Sequence, residues 1–160
     1  MSTRRWVTYA VAAGAVTATA VAGSTAVNTG TRWYRTLAKP SWQPPGWAFG
    51  AVWTPLYASI AWAGGHAVLR TRGPERRELI TAFGVNLAAN AGWNWLFFGR
   101  RSVLGGLAGT LALDASNLDL IRRTARHDPV AARALVPYAA WCLFATGLNA
   151  AIAQRNRGQW

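Results

Sequence analysis

The sequence predicts an all-α membrane protein: a five-transmembrane-helix bundle forming one domain over residues 1–160. Three observations carry that reading. First, residues 6–31, 40–69, 79–99 and 134–154 contain no charge, and Asp114 is the only charged residue in 102–118. Each stretch reaches or approaches the ~20 helical residues needed to cross a hydrocarbon core. Second, the remaining charges cluster between these stretches. A mean hydropathy of only +0.10 is therefore the sum of Arg-rich loops and spans built on Ala, Gly and Trp. Third, none of the stretches offers the charged outer face that a helix of a soluble bundle carries.

This segregation also removes the function that composition first suggests. Seventeen Lys and Arg against five Asp and Glu give a net charge of +12, which would suit a nucleic-acid-binding domain. With five spans, however, Arg4, Arg5, Arg70, Arg72, Arg76, Arg77, Arg122, Arg123, Arg126 and Arg133 fall on the N-terminal side of the membrane. Arg32, Arg35, Lys39, Arg100, Arg101, Arg155 and Arg157 fall on the other. No single basic patch forms, so no nucleic-acid partner is expected, and the small excess favours the N-terminus inside. The single Cys, Cys142, excludes a disulfide framework and a Cys-based zinc site, and reads as a small buried apolar side chain.

The first span covers about 6–27. Its apolar run exceeds the roughly 7–15 residues of a cleaved signal's hydrophobic region, so an uncleaved helix is expected. Ala10, Gly14, Ala18 and Ala22 place small residues along one side of it, where another helix can approach closely. Residues 28–45 form the longest loop; Pro40, Pro44 and Pro45 argue against helix there, and Trp33, Tyr34 and Trp42 suggest an ordered cover. The second span, about 46–69, contains Pro55 and should kink. Gly73-Pro74 then marks a turn.

In the third span, about 79–98, Asn86, Asn90, Trp93 and Phe97 share one face. The fourth, about 103–121, has Gly105, Gly109, Ala112 and Ser116 on one strip, with Gly105 and Gly109 in the GxxxG register of close helix pairs. This strip and that of the first span predict a homodimer. Asp128-Pro129 reads as N-cap and first helical residue of the fifth span, about 130–154, with a bend at Pro137. Along one face of that span lie Tyr138, Trp141, Ala145, Asn149, Ile152 and Asn156.

Ten Trp call for an account. Membrane-surface anchoring explains Trp6 and Trp160. Trp53 and Trp141 lie inside their spans beside polar groups, and an aromatic cage closed by a Trp-rich lid suits a flat apolar ligand. Asn90 and Asn149 can serve either as interhelical hydrogen-bond partners or as ligand contacts. Asp114, the acid well inside a span, is a functional candidate or bonds to a neighbouring helix; Asp119 should pair with Arg122 or Arg123. His66 and His127 stand apart from each other and from any carboxylate at ligand spacing, so no metal centre is expected. No nucleophile-base constellation, carboxylate pair or phosphate loop is visible.

Three segments resemble the tryptophan-rich sensory protein and translocator protein family (TspO/MBR, also called peripheral benzodiazepine receptors). WYRTLAKPSWQPPGWAFGAVWTPLY, residues 33–57, follows the family pattern W-Y-x-x-L-x-K-P-x-W-x-P-P-x-W-x-F-G-x-V-W-T-x-L-Y. NAGWNWLFFG, 90–99, is similar to N-x-x-W-x-x-x-F-F-G, and PYAAWCLFATGLNAAIAQRN, 137–156, to P-Y-x-x-W-x-x-F-A-x-x-L-N-x-x-I-x-x-x-N. The resemblance implies a five-helix membrane bundle, often dimeric, binding porphyrins and related tetrapyrroles, with sterols and benzodiazepine-type drugs as further associated ligands. Carried over residue by residue, it implies a pocket of Trp53, Tyr57, Asn90, Trp93, Tyr138, Trp141, Ala145 and Asn149. Trp33, Tyr34, Lys39, Pro40, Trp42, Pro44, Pro45 and Trp47 would form its lid.

Two departures stand out. Leu148-Asn149-Ala150 lacks the Tyr and basic residue of the animal sterol pattern, and the helix-4 acid of many relatives is replaced by Gly109, with Asp114 further along. The expected function is thus that of an integral, multi-pass membrane protein binding porphyrin or haem as ligand, in a sensory, regulatory or transport role and with no required cofactor. The alternative is light- and oxygen-dependent porphyrin degradation, with Trp53 and Trp141 as redox-active indoles. In the binding role Arg32, Arg35 or Lys39 would meet the ligand's propionates.

Overall fold

The computed structural model describes residues 3–158, so the anchoring role expected of Trp160 falls outside the described residues. Among these, all regular structure is helical: α1 (Thr3–Ser24), α2 (Arg32–Thr36), α3 (Gly46–Arg70), α4 (Gly73–Asn94), α5 (Val103–His127) and α6 (Pro129–Arg155). A π-helical turn, Trp95–Gly99, follows α4 directly. The five long helices close a ring in the order α1, α3, α6, α5, α4, with α4 returning to α1. Ile60, Leu79, Leu120, Leu135 and Tyr138 fill its centre, each 1% exposed. By length and composition, α1 and α6 are apolar enough to cross a membrane.

Local chemistry explains most of the boundaries. Asp128 caps α6, its Oδ1 accepting from the Ala131 amide at 3.0 Å, with Pro129 in the first turn as expected. Ser102 does the same for α5 through the Gly105 amide at 2.9 Å. Pro55 and Pro137 both lie within continuous helices. The π turn is made by wide bonds from the Arg100 amide to the Trp95 carbonyl and from the Ser102 amide to the Phe97 carbonyl, 2.8 and 3.2 Å.

Several expectations are corrected. The cover segment 28–45 does contain a helix, α2, because its prolines all lie beyond residue 39 and Thr31 caps the turn by accepting from the Tyr34 amide at 3.2 Å. Gly73-Pro74 opens α4 instead of separating two elements: Gly73 has φ +55°, a left-handed conformation that favours glycine, and proline fits the first helical turn. The α5 helix runs six residues past the expected 121 to His127, because Arg122, Arg123 and Arg126 are as compatible with helix as the apolar residues before them. The Gly105/Gly109 strip, assigned above to a dimer contact, packs inside the chain. A Cβ on Gly109 would meet Trp93 and Leu96 at 3.2–3.4 Å, and one on Gly105 would meet Ser102. The α1 strip, by contrast, is open: Ala10, Gly14, Ala18 and Ala22 are exposed.

Candidate functional site: an aromatic seam under a pinned cover

At the centre of the ring, apolar packing gives way to a hydrogen-bonded chain. The Tyr57 hydroxyl donates to Asn90 Oδ1 at 3.1 Å, and Asn90 Nδ2 donates to the Tyr138 hydroxyl at 3.1 Å. Tyr138 donates in turn to Asn86 Oδ1 at 3.0 Å, and Asn86 Nδ2 donates to Asn117 Oδ1 at 2.8 Å and Ser116 Oγ at 3.1 Å. The chain joins α3, α4, α6 and α5. Buried amides and phenols must be partnered or lose their hydration without return, and Tyr57, Asn90, Tyr138 and Asn86 each supply what the next group lacks, while at the end of the chain Asn117 Nδ2 is buried without a partner. Asn90 and Tyr138, 3% and 1% exposed, are therefore structural ties between helices at the floor of the candidate site.

Above this floor, the seam between α3 and α6 is lined with rings. Trp53 stacks on Tyr57 with centroids 5.1 Å apart and meets Tyr138 edge-on at 6.0 Å. Phe49 meets Trp141 at 5.9 Å, Trp141 stacks on Phe144 at 5.0 Å, and Trp42 of the cover reaches Phe144 at 5.8 Å. Trp53 and Trp141 are half-buried, so each presents part of an indole face.

The cover is held at defined points. Asn156, at the end of α6, clamps Ala38: its Oδ1 accepts from the Ala38 amide at 3.0 Å and its Nδ2 donates to the Ala38 carbonyl at 2.9 Å. Lys39 Nζ donates to the carbonyls of Tyr34 and Leu37, at 2.5 and 3.2 Å, and lies 4.4 Å above the Tyr34 ring. Burial lowers the Lys39 pKa from the ordinary lysine value. Gln43 donates to the Tyr34 hydroxyl at 3.2 Å. Pro40 is buried and Pro44 half-buried, while Pro45 precedes α3 and Trp47 is 76% exposed.

The expected pocket residues divide into two groups. Trp53, Tyr57, Asn90, Tyr138 and Trp141 share the seam and its floor. Trp93 lies instead with Trp33, Tyr34, Phe97, Phe98 and Leu37 beneath the cover, where it stacks on Phe97 at 5.9 Å. Asn149 is beside Phe97 across Gly106 and donates to the Ala145 carbonyl at 2.8 Å. The Trp93 Nε1 and the Asn149 Oδ1 are buried without a partner.

The ring, the seam and its cover involve the three segments in which the sequence motifs fall. The TspO/MBR family model matches residues 6–155. The chain belongs to the TspO/MBR family. It is 38% identical over 153 residues to the tryptophan-rich protein TspO of Chlorobaculum tepidum, covering 93% of this chain and 96% of that protein. To the translocator protein of Homo sapiens it is 35% identical over 132 residues, covering 81% of this chain and 78% of the human protein. It is also 31% identical over 144 residues to protein CrtK of Rhodobacter capsulatus, covering 89% and 90% respectively.

Within this TspO/MBR chain two polar features lie away from the seam. Asp114 accepts from Thr146 Oγ1 on α6 at 2.5 Å, the bond to a neighbouring helix weighed above, while its Oδ1 is buried without a partner. His66, which the linear sequence separates from every carboxylate, is brought by the fold to Asp128, with Nδ1 and Oδ2 2.5 Å apart, and Arg70 Nη1 stands 3.5 Å from the same oxygen. Burial alone would raise the Asp128 pKa. The Ala131 amide, His66 and Arg70 overcome it, so the net shift is downward. The N-cap role was readable from Asp128-Pro129; the His66 contact was not, because it depends on the end of α3 meeting the start of α6. The expected Asp119 ion pair forms with Arg123 at 2.7 Å.

Proposed function

We propose that this chain crosses the bilayer five times and binds a tetrapyrrole, porphyrin or haem, as a sensory, regulatory or transport protein. The observation that carries the reading is the aromatic seam of Trp53, Tyr57, Phe49 and Trp141, closed at one end by a cover whose own Trp42 continues the row of rings. A flat π system gains large contact area on such rings at small entropic cost. The membrane reading has separate support. Helices of 22–27 residues extend about 33–40 Å at ~1.5 Å per residue, enough for a ~30 Å core. Val11, Leu111 and Leu143 are 66%, 54% and 62% exposed, and such outward apolar faces suit lipid better than water.

At the covered end, Lys39 is held by two backbone carbonyls, which leaves the exposed Arg32 and Arg35 to meet the ligand's carboxylates. The open α1 strip of Ala10, Gly14 and Ala18 offers a second copy the close approach that small residues allow. Titrating the purified protein with protoporphyrin should quench Trp fluorescence saturably. Each of Trp53→Phe and Trp141→Phe should weaken binding by up to about tenfold, the scale of one ring-ring interaction. A double variant that binds as tightly as the parent protein removes the seam as the site.

A further inference from the structure

A groove of about 570 Å³ opens between α4 and α5 on the side opposite the cover. Four charged residues surround its mouth: Arg77, Glu78, Asp119 and Arg123. Deeper, its walls are Thr81, Ala82 and Val85, and Ser116 lies one helical turn below Asp119. From Arg77 to Val85 the groove follows the helix for about 12 Å at ~1.5 Å per residue, most of the ~15 Å depth of one leaflet's hydrocarbon. It is therefore charged at the membrane surface, carries the Thr81 and Ser116 hydroxyls below that, and ends on Ala82 and Val85, the order of headgroup, ester and acyl chain in a phospholipid.

The charges are specific. Arg123 Nε pairs with Asp119 at 2.7 Å and its Nη1 stands 3.6 Å from Glu78, so this cation is shared between two carboxylates that are both more than half exposed. Arg77 is exposed and makes no ion pair among the described residues. Two cations and two anions sum to zero, which disfavours a purely anionic headgroup and suits a zwitterion. The carboxylates have acceptor capacity left over, which an ammonium with N–H groups can use and a quaternary ammonium cannot. Ser116 accepts from Asn86 at 3.1 Å, leaving its own hydroxyl proton to donate to an ester carbonyl.

We propose that this groove holds one phosphatidylethanolamine molecule, with its phosphate on Arg77, its ammonium on Glu78 and Asp119, and its glycerol ester at Ser116. The inference rests on the membrane reading above. Native mass spectrometry of the detergent-solubilised full chain, titrated with phosphatidylethanolamine, phosphatidylcholine and phosphatidylglycerol of matched acyl chains, measures the preference directly. One phosphatidylethanolamine per chain should be retained in preference to the other two. Arg77→Gln and the double change Glu78→Gln/Asp119→Asn should each weaken retention about tenfold, the scale of one charge-assisted hydrogen bond, while Arg133→Gln leaves it unchanged.

Equal retention of the choline lipid, a preference for the glycerol lipid, or insensitivity to both variants overturns the assignment. So does an Arg77→Gln protein whose oligomer size changes while its lipid retention does not, since a second copy would then fill the groove. Flotation with pure phosphatidylcholine vesicles separates the two readings. A protein that floats but shows no headgroup preference loses only the lipid site; one that fails to float loses the membrane reading with it.

Discussion

Asn156→Ala should release the cover while leaving the bundle intact. Asn156 is 3% exposed and makes three side-chain bonds. Two go to the amide and carbonyl of Ala38, 118 residues away in sequence, and one to the Ile152 carbonyl at 2.7 Å. Ala38 itself is exposed, so its freed groups can turn to water instead of being left unpaired. The loss is therefore the net value of two hydrogen bonds, about 2 kcal/mol at ~1 kcal/mol each. At ~1.4 kcal/mol per tenfold, the closed-to-open ratio of the cover should fall by about 30-fold.

Leu37, 4% exposed, and the Lys39 bonds remain, so opening should be local. Hydrogen exchange is the assay. Protection of amides in 38–43 should drop by about 30-fold, while amides in the middle of α6 keep their rates. Asn156→Asp sharpens the test. It keeps the acceptor but sets a carboxylate oxygen against the Ala38 carbonyl, and places negative charge at a helix C-terminus, where it is unfavourable. Opening should then be at least as large as in the Ala variant. Unchanged exchange at 38–43 in both variants would refute the clamp.

Two further predictions concern stability. Because the Asp128 carboxyl titrates below its ordinary value, its contribution is fully present above an unfolded pKa of about 3.9 and is lost as pH falls through the lower folded value. Asp128→Asn keeps an N-cap acceptor but loses the charge. It should cost about 1.5–3 kcal/mol near neutral pH, and thermal unfolding should show the gap from the parent narrowing below pH ~4; a gap independent of pH counts against the His66 and Arg70 contacts. Glycines at two sites should behave in opposite ways. A Cβ on Gly106 would lie 2.8 Å from Asn149 Oδ1 and against Phe97, so Gly106→Ala should destabilise by about 1–3 kcal/mol. Gly14 has no atom within 4 Å of that position, and Gly14→Ala should raise stability by up to ~1 kcal/mol; equal changes in melting temperature would refute the packing described. Gly14→Leu tests the other role of that strip and should shift the solubilised protein toward monomer, an unchanged size removing α1 from the interface.

Charge-free segments, their lengths and their caps make the five long helices legible in the sequence, and the match at Asp128-Pro129 shows how local that information is. The same locality explains the misreadings. The prolines of 28–45 argue against helix only where they stand, and a five-residue helix needs only Thr31 and the proline-free stretch after it. GxxxG at Gly105 and Gly109 identifies a close approach but not its partner, and the fold assigns Trp93 and Leu96 of the same chain. The site was similarly divided. Helical periodicity placed Asn86 and Asn90 on one face, but their bonding through Tyr138 to Tyr57 and Asn117 needs four helices in register.

By itself, the sequence determined the course of the five long helices to within a turn or two, which ends carry charge, and that Asn86, Asn90 and Tyr138 turn inward, because these depend on chain-local periodicity and on the cost of placing charge in an apolar medium. The tertiary structure decided which inward residues meet: Asn156 with Ala38, His66 with Asp128, and Trp93 with the cover instead of the Trp53–Trp141 seam. These pairings depend on the order of the helices around the ring and on their relative heights. Both are set by packing summed over many side chains, which no single segment encodes.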